Sequence, residues 1–143
     1  QKYFKKELFF TDVEGKTKDE VLKNLCRKVE QEKGLPETFT ASVLKREELT
    51  PTDYGNLVAL PHPERAFQER AFVAVAVLKE PIFWFRQKVQ VVFLTAIGRE
   101  EDENLQQFYE ATTDLILRPA DVQNLIRHPD YDRLIQLLRR AEE

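Results

Sequence analysis

RAFVAVAVLK (70–79) and KVQVVFLTAI (88–97) decide the fold. In both stretches apolar side chains fill the two alternating sets of positions, so neither face of the strand is suited to water. Such strands belong in the middle of a sheet covered by helices on both sides. The flanking sequence supplies those helices. TKDE (17–20) is a capping box with Thr17 as N-cap and Glu20 at N3, and Val21, Leu22, Leu25, Cys26 and Val29 repeat at helical spacing until Gly34. Pro36 is placed to open a second helix, PETFTASVLKREEL (36–49), whose apolar stripe begins with Phe39 and Val43. After the second strand the period turns helical from Asp102, with Leu105, Phe108, Tyr109, Thr112 and Leu115 on one side. Pro119 opens a short helix through Val122, Leu125 and Ile126, and Asp130 can cap a last one carrying Leu134, Ile135, Leu137 and Leu138. ELFFTD (7–12) reads as an edge strand and NLVAL (56–60) as a short strand. EPIFWFRQ (80–87) reads as a connection that packs its aromatics, Trp84 among them, onto the core. The sum is an α/β domain, a mixed β-sheet with helices packed on it.

At 143 residues the chain fits one domain with a core of ordinary size. Its 42% hydrophobic and 33% charged content are those of a globular protein rather than a disordered one. No apolar run approaches the roughly 20 residues that span a membrane. The single cysteine, Cys26, cannot form an internal disulfide, which points to a reducing, cytoplasmic setting, and its place on an apolar stripe makes it a core residue. A net charge of −3 argues against direct nucleic-acid contact by this domain. The chain starts at Gln1 and has no methionine, so the expectation is a domain excised from a longer, multidomain polypeptide.

The stretch least explained by packing is NLVALPHPER (56–65). Pro63 disfavours the α region for His62, and Pro61 lacks a backbone N–H, so this histidine sits in neither a helix nor a central ladder. It is presented in extended conformation just past a strand, where α/β folds tend to place ligand sites. A neutral imidazole there is a competent nucleophile once its other nitrogen is fixed by a hydrogen bond. Filling a tight turn is the plain alternative. Arg46 follows Phe39 and Val43 on the helical stripe, a costly position unless an anion meets the guanidinium. Glu47 or another carboxylate is one such anion, and a phosphoryl group is the other. The second histidine, His128, stands at the join of two late helices, where covering a helix end is its expected role.

VLKREELTPTDYGNLVALPHPE (43–64) resembles the active-site stretch of the mannitol/fructose-type EIIA domains of the bacterial sugar phosphotransferase system. The shared pattern is an Arg-Glu pair at a helix end, a Thr and Gly turn, then a small apolar strand ending in Pro-His. The resemblance continues through PIFWFRQKVQVVFLTAIGREEDENLQQFYEATTDLI (81–116), and the ALPHP and PIFW forms look most like the EIIA-like domain at the C-terminus of PRD-containing, BglG-type transcriptional regulators. It implies a mannitol-type EIIA fold in which His62 accepts a phosphoryl group and Arg46 steadies it. Thr52 would bind phosphate or cap its turn, and Glu47 would be structural. No cofactor or metal is implied. There is one departure: where the family's transporters carry a second histidine, this chain has Asn104, an amide that can donate to phosphate but cannot gain a proton.

The expected function is that of a phosphoacceptor rather than a turnover enzyme, controlling the attached transcriptional regulator. The expected partners are the general phosphocarrier protein, an EIIB domain and the other domains of the parent. A transport-type carrier relaying phosphate to a sugar-specific EIIB partner is the alternative, which Asn104 disfavours. A metal hydrolase needs roughly three or four protein ligands, and two distant histidines and a core cysteine do not supply them. A binding module without chemistry would leave His62 replaceable.

Overall fold

The computed structural model describes residues 3–100 and 105–142. The strands are β1 (Phe4–Phe10), β2 (Asp53–Gly55), β3 (Val58–Ala59), β4 (Phe72–Phe83) and β5 (Lys88–Ala96), and the helices are α1 (Lys18–Lys33), α2 (Thr38–Leu49), α3 (Leu105–Ile116), α4 (Pro119–Arg127) and α5 (Tyr131–Glu142). They form one mixed sheet in the order β1-β4-β5-β3-β2. β4 and β5 are antiparallel, whereas β1 runs parallel to β4 and β3 parallel to β5.

Both faces of the central strands are buried, as their two-sided apolar pattern requires. Ala74, Ala76 and Leu78 of β4 join Val92, Leu94 and Ala96 of β5 in a core with α1 and α2. Val73, Val75 and Val77 join Val91 and Phe93 in a second core with α3, α4 and α5. Each buried Val, Leu or Phe among them contributes roughly 1.5–3 kcal/mol relative to exposure, so burial of both faces fixes the α/β/α stack.

Most helix signals hold in detail, but Pro36 does not open α2: it stands just before the N-cap, Glu37, and the helix begins at Thr38. The Thr17 hydroxyl accepts the Glu20 N–H at 3.2 Å, Gly34 ends α1 at φ 67°, and Pro119 stands in the first turn of α4. Asp130 caps α5 by accepting the Arg133 N–H at 2.8 Å. Cys26 is a buried core residue, and His128 closes α4, its N–H donating to Asn124 O. The start of the helical period read from Asp102 lies outside the described residues, and α3 is described from Leu105.

Two readings need correction. EPIFWFRQ (80–87) is not a loop folded onto the core: β4 continues to Phe83, turns through Trp84–Gln87 and returns as β5. Of its aromatics only Trp84 is buried, while Phe83 and Phe85 are exposed. The hairpin outruns the helices that cover its base, and a register shift between Val77 and Ile82 separates the covered part from the tip. NLVAL shortens to a two-residue strand because Asn56 and Leu57 take φ of 53° and 69° and form a tight turn between β2 and β3. β2, unforeseen in the sequence, is the other arm of that turn.

Candidate functional site

β3 and β5 run parallel, so their carboxyl ends meet at one edge of the sheet, and the chain leaving β3 there is Leu60-Pro61-His62-Pro63-Glu64. Lacking regular structure, this stretch is fixed by bonds to three different elements. Leu60 N–H donates to Thr52 O at 3.1 Å beside β2, and Pro61 O accepts the Thr95 N–H of β5 at 2.9 Å. Glu64 N–H donates to the Ser42 hydroxyl of α2 at 2.7 Å. Pro61 and Pro63 are buried on either side, and His62 between them is half-buried.

The imidazole Nδ1 of His62 lies 3.4 Å from Leu60 O. A carbonyl can only accept, so even this long contact favours the tautomer with the proton on Nδ1 and the lone pair on Nε2. His62 also lines a cavity of about 370 Å³ with Leu60, Thr95, Ile97, Phe108, Tyr109 and Thr112. The cavity lies between the end of β5 and the middle of α3. Burial pushes the Tyr109 phenol above its usual value, so it stays a neutral donor throughout the physiological range.

Arg46 and Glu47 divide their work differently from the expectation built on the apolar stripe. Glu47, not Arg46, is the residue buried on the inner face of α2, at 1% exposure. Its carboxylate accepts the Thr52 N–H at 2.6 Å, the Thr52 hydroxyl at 2.7 Å and the Trp84 indole N–H at 2.8 Å. The carboxylate thus joins the end of α2, the turn before β2 and the tip of the β4–β5 hairpin. Asp53 reinforces that tip by accepting the backbone N–H groups of Arg86 and Gln87.

Arg46 is half-buried and donates from Nη1 to Thr50 O at 2.9 Å, closing the last turn of its own helix. Ser42 and Arg46 are four residues apart and share one face of α2. Because Ser42 holds Glu64, that face looks toward the His62 segment. Thr52 reaches the same segment through its carbonyl on Leu60, while its hydroxyl proton is committed to Glu47. Asn104 lies outside the described residues. From sequence, Glu47 has a structural part, which these three bonds specify, and neither Thr95 nor Thr112 is assigned to the site. The available signal was Trp84, whose indole N–H needs an acceptor once buried, and an acid near the histidine could supply one.

The fold and the loop define a class of protein: a three-layer α/β/α domain that holds one tethered imidazole at the carboxyl ends of parallel strands, beside a largely apolar cavity. The chain belongs to the family described as "Phosphoenolpyruvate-dependent sugar phosphotransferase system, EIIA 2", which matches residues 2–141. It is 37% identical over 133 residues to the "Probable licABCH operon regulator" of Bacillus subtilis (strain 168), covering 93% of this chain and 21% of that protein. It is 27% identical over 120 residues to "Transcriptional regulator ManR" of the same organism, covering 84% of this chain and 18% of that protein. The chain therefore spans about a fifth of the length of these relatives. Among solved structures, that of the complex of enzyme IIAMtl with phosphorylated enzyme IIBMtl from Escherichia coli superposes with a TM-score of 0.76 at 18% identity, covering 94% of this chain and 97% of that chain. The resemblance drawn from the Pro-His stretch, and the mannitol-type fold it implied, are thus borne out.

Proposed function

We propose that this domain accepts a phosphoryl group on Nε2 of His62 and, in that state, controls a transcriptional regulator of which it forms one part. The observation that carries the reading is the tether: Nδ1 faces Leu60 O on a fixed loop, which leaves the lone pair on Nε2 of a ring that lines an open cavity. In the transfer, that pair forms the new N–P bond while the donor's N–P bond breaks and its electrons stay on the donor nitrogen. The Nδ1 proton remains on His62. Phosphoryl transfer asks little covalent work of the protein beyond position and charge. Arg46 supplies the charge: only Thr50 O engages its guanidinium among the described residues, and it shares the α2 face that holds the His62 segment. Thr52 is assigned to the turn rather than to phosphate, because its hydroxyl donates to Glu47.

The regulatory half of the proposal rests on the relatives named as regulators and on their greater length. A general phosphocarrier protein would be the donor. An EIIB-type domain is a further partner, supported by the complex of the E. coli neighbour. The cytoplasm is the proposed location: Cys26 is a free thiol and, among the described residues, no helix is long and apolar enough to cross a membrane. Asn104, in place of a second histidine, suits a domain that holds phosphate better than it relays it.

The test is incubation with the phosphoenolpyruvate-driven phosphorelay and radiolabelled donor. An acid-labile, base-stable adduct is expected on the wild type and on His128→Ala, and none on His62→Ala. Label persisting in His62→Ala overturns the assignment. Rapid transfer from wild type to an EIIB domain, with no gain in Asn104→His, would favour the transport-type relay.

A further inference from the structure

Thr112 is in the middle of α3, a position where a threonine hydroxyl ordinarily bonds back to a carbonyl three or four residues earlier. Here it does not. Thr112 is 3% exposed, and its Oγ1 is fully buried with no hydrogen-bond partner among the described residues. A buried donor left unmatched costs stability, and a valine of the same shape would avoid that cost. Its oxygen is turned away from open space in this rotamer, but a threonine in a helix has a second χ1 rotamer within reach, which would bring the hydroxyl round. Thr112 lines the same cavity of about 370 Å³ as His62. That volume exceeds the roughly 30 Å³ share of one water in the liquid more than tenfold, so the space can hold a phosphoryl group and bridging waters together.

The other walls narrow the choice of partner. Leu60, Ile97, Phe108 and Tyr109 give mostly apolar surface, and the Thr95 hydroxyl on the floor already donates to Phe93 O at 3.3 Å. Tyr109 and Thr113 also bring hydroxyls to the wall, both partly open to water, so the Thr112 hydroxyl, once turned to the cavity, is the buried donor that a group entering from the His62 side meets. A phosphoryl group brings three strong acceptor oxygens, and a hydrogen bond to such a charged acceptor in a water-poor site is stronger than a neutral one.

We infer that Thr112 is a positioning residue for the phosphorylated state, its hydroxyl donating to a phosphoryl oxygen on His62 directly or through one water. The inference rests on phosphoacceptance by His62 and adds a donor from α3, opposite Arg46 on α2. The phosphorylated form would satisfy a donor that the free form leaves open.

The experiment compares wild type, Thr112→Val and Thr112→Ser in two measurements. One is the equilibrium partition of the phosphoryl group between a histidine phosphocarrier protein and this domain, which is independent of how well the two dock. The other is the melting temperature of the unphosphorylated domain. Thr112→Val should shift the partition toward the donor by about 10-fold, as expected for one charge-assisted bond. It should also leave the melting temperature unchanged or raised by about 3 °C, because a burdened hydroxyl has been removed. Thr112→Ser, which keeps the donor, should restore the partition to within about three-fold of wild type. A partition in Thr112→Val within two-fold of wild type overturns the inference and leaves the hydroxyl serving a buried water only. A lowered melting temperature in that variant overturns it as well, since it would reveal a structural partner. Failure of the underlying reading looks different: wild type itself would take no label, or would keep it in His62→Ala.

Discussion

Replacing Glu47 tests how the site is held, because one carboxylate fastens three elements there. Glu47→Ala would leave the Thr52 N–H, the Thr52 hydroxyl and the Trp84 indole N–H without an acceptor in a buried place. Each unmatched donor costs about 1–3 kcal/mol, so the variant should lose about 4 kcal/mol or more of the 5–15 kcal/mol typical of a domain. Glu47→Gln keeps the shape. Its amide oxygen can accept both N–H groups, and the Thr52 hydroxyl can turn to accept from the amide nitrogen. Only the charge assistance is lost, about 1–2 kcal/mol, or a fall in melting temperature of roughly 3–6 °C. Thermal and urea unfolding followed by circular dichroism measures both variants. Trp84, the single tryptophan, adds a fluorescence signal from the clamp itself. The reasoning fails if Glu47→Gln proves more stable than wild type, for then the cost of burying the carboxylate outweighs its three bonds. It fails equally if the alanine and glutamine variants melt together.

Two further outcomes follow from the same geometry. Arg46→Ala should slow phosphorylation of His62 by about 100-fold or more with the fold still cooperative, and Arg46→Lys should recover only part of the rate because the planar fork is lost; collapse of the fold in Arg46→Ala, seen by circular dichroism, would make the arginine a structural residue. Cys26 is fully buried, and burial pushes its thiol far above the usual range, so a thiol reagent such as Ellman's should label it only as fast as the domain opens, with denaturant releasing one equivalent at once.

The layers of this fold were legible because β4 and β5 declare burial on both faces, and because Thr17, Gly34, Pro119 and Asp130 mark helix ends by local chemistry. The hairpin tip was not legible. Pro81 and the exposed Phe83 do not read as a strand, and that segment pairs only because β5 returns beside it. β2 and β3 were hidden for a related reason: a non-glycine residue, Leu57, adopts positive φ, a cost that tertiary bonds to its carbonyl from Gln90 and Val91 N–H help to offset. At the site, the Pro-His-Pro pattern isolated His62 without any alignment. The identity of the buried partner on α2 was harder, since Arg46 and Glu47 are adjacent and helical spacing alone does not say which one turns inward. Only the indole of Trp84, far away in sequence, decides that. Thr112 was visible as a member of a helical stripe, but no pattern of residues reveals that a hydroxyl lacks a partner.

The loop carrying His62 is fastened at Leu60, Pro61 and Glu64 to three separate parts of the domain, and this sets its timescale as well as its shape. Loops usually exchange their amide protons quickly, because fraying one end is enough. Here no end can fray alone: the amides of Leu60 and Glu64, and that of Thr95 which holds Pro61, become accessible only when β2, β5 or α2 lets go. Those protons should therefore exchange with solvent deuterium at rates closer to the sheet than to an ordinary connection. The configurational entropy of ordering the histidine is already spent in folding, and a reacting partner meets an imidazole that has few other places to be.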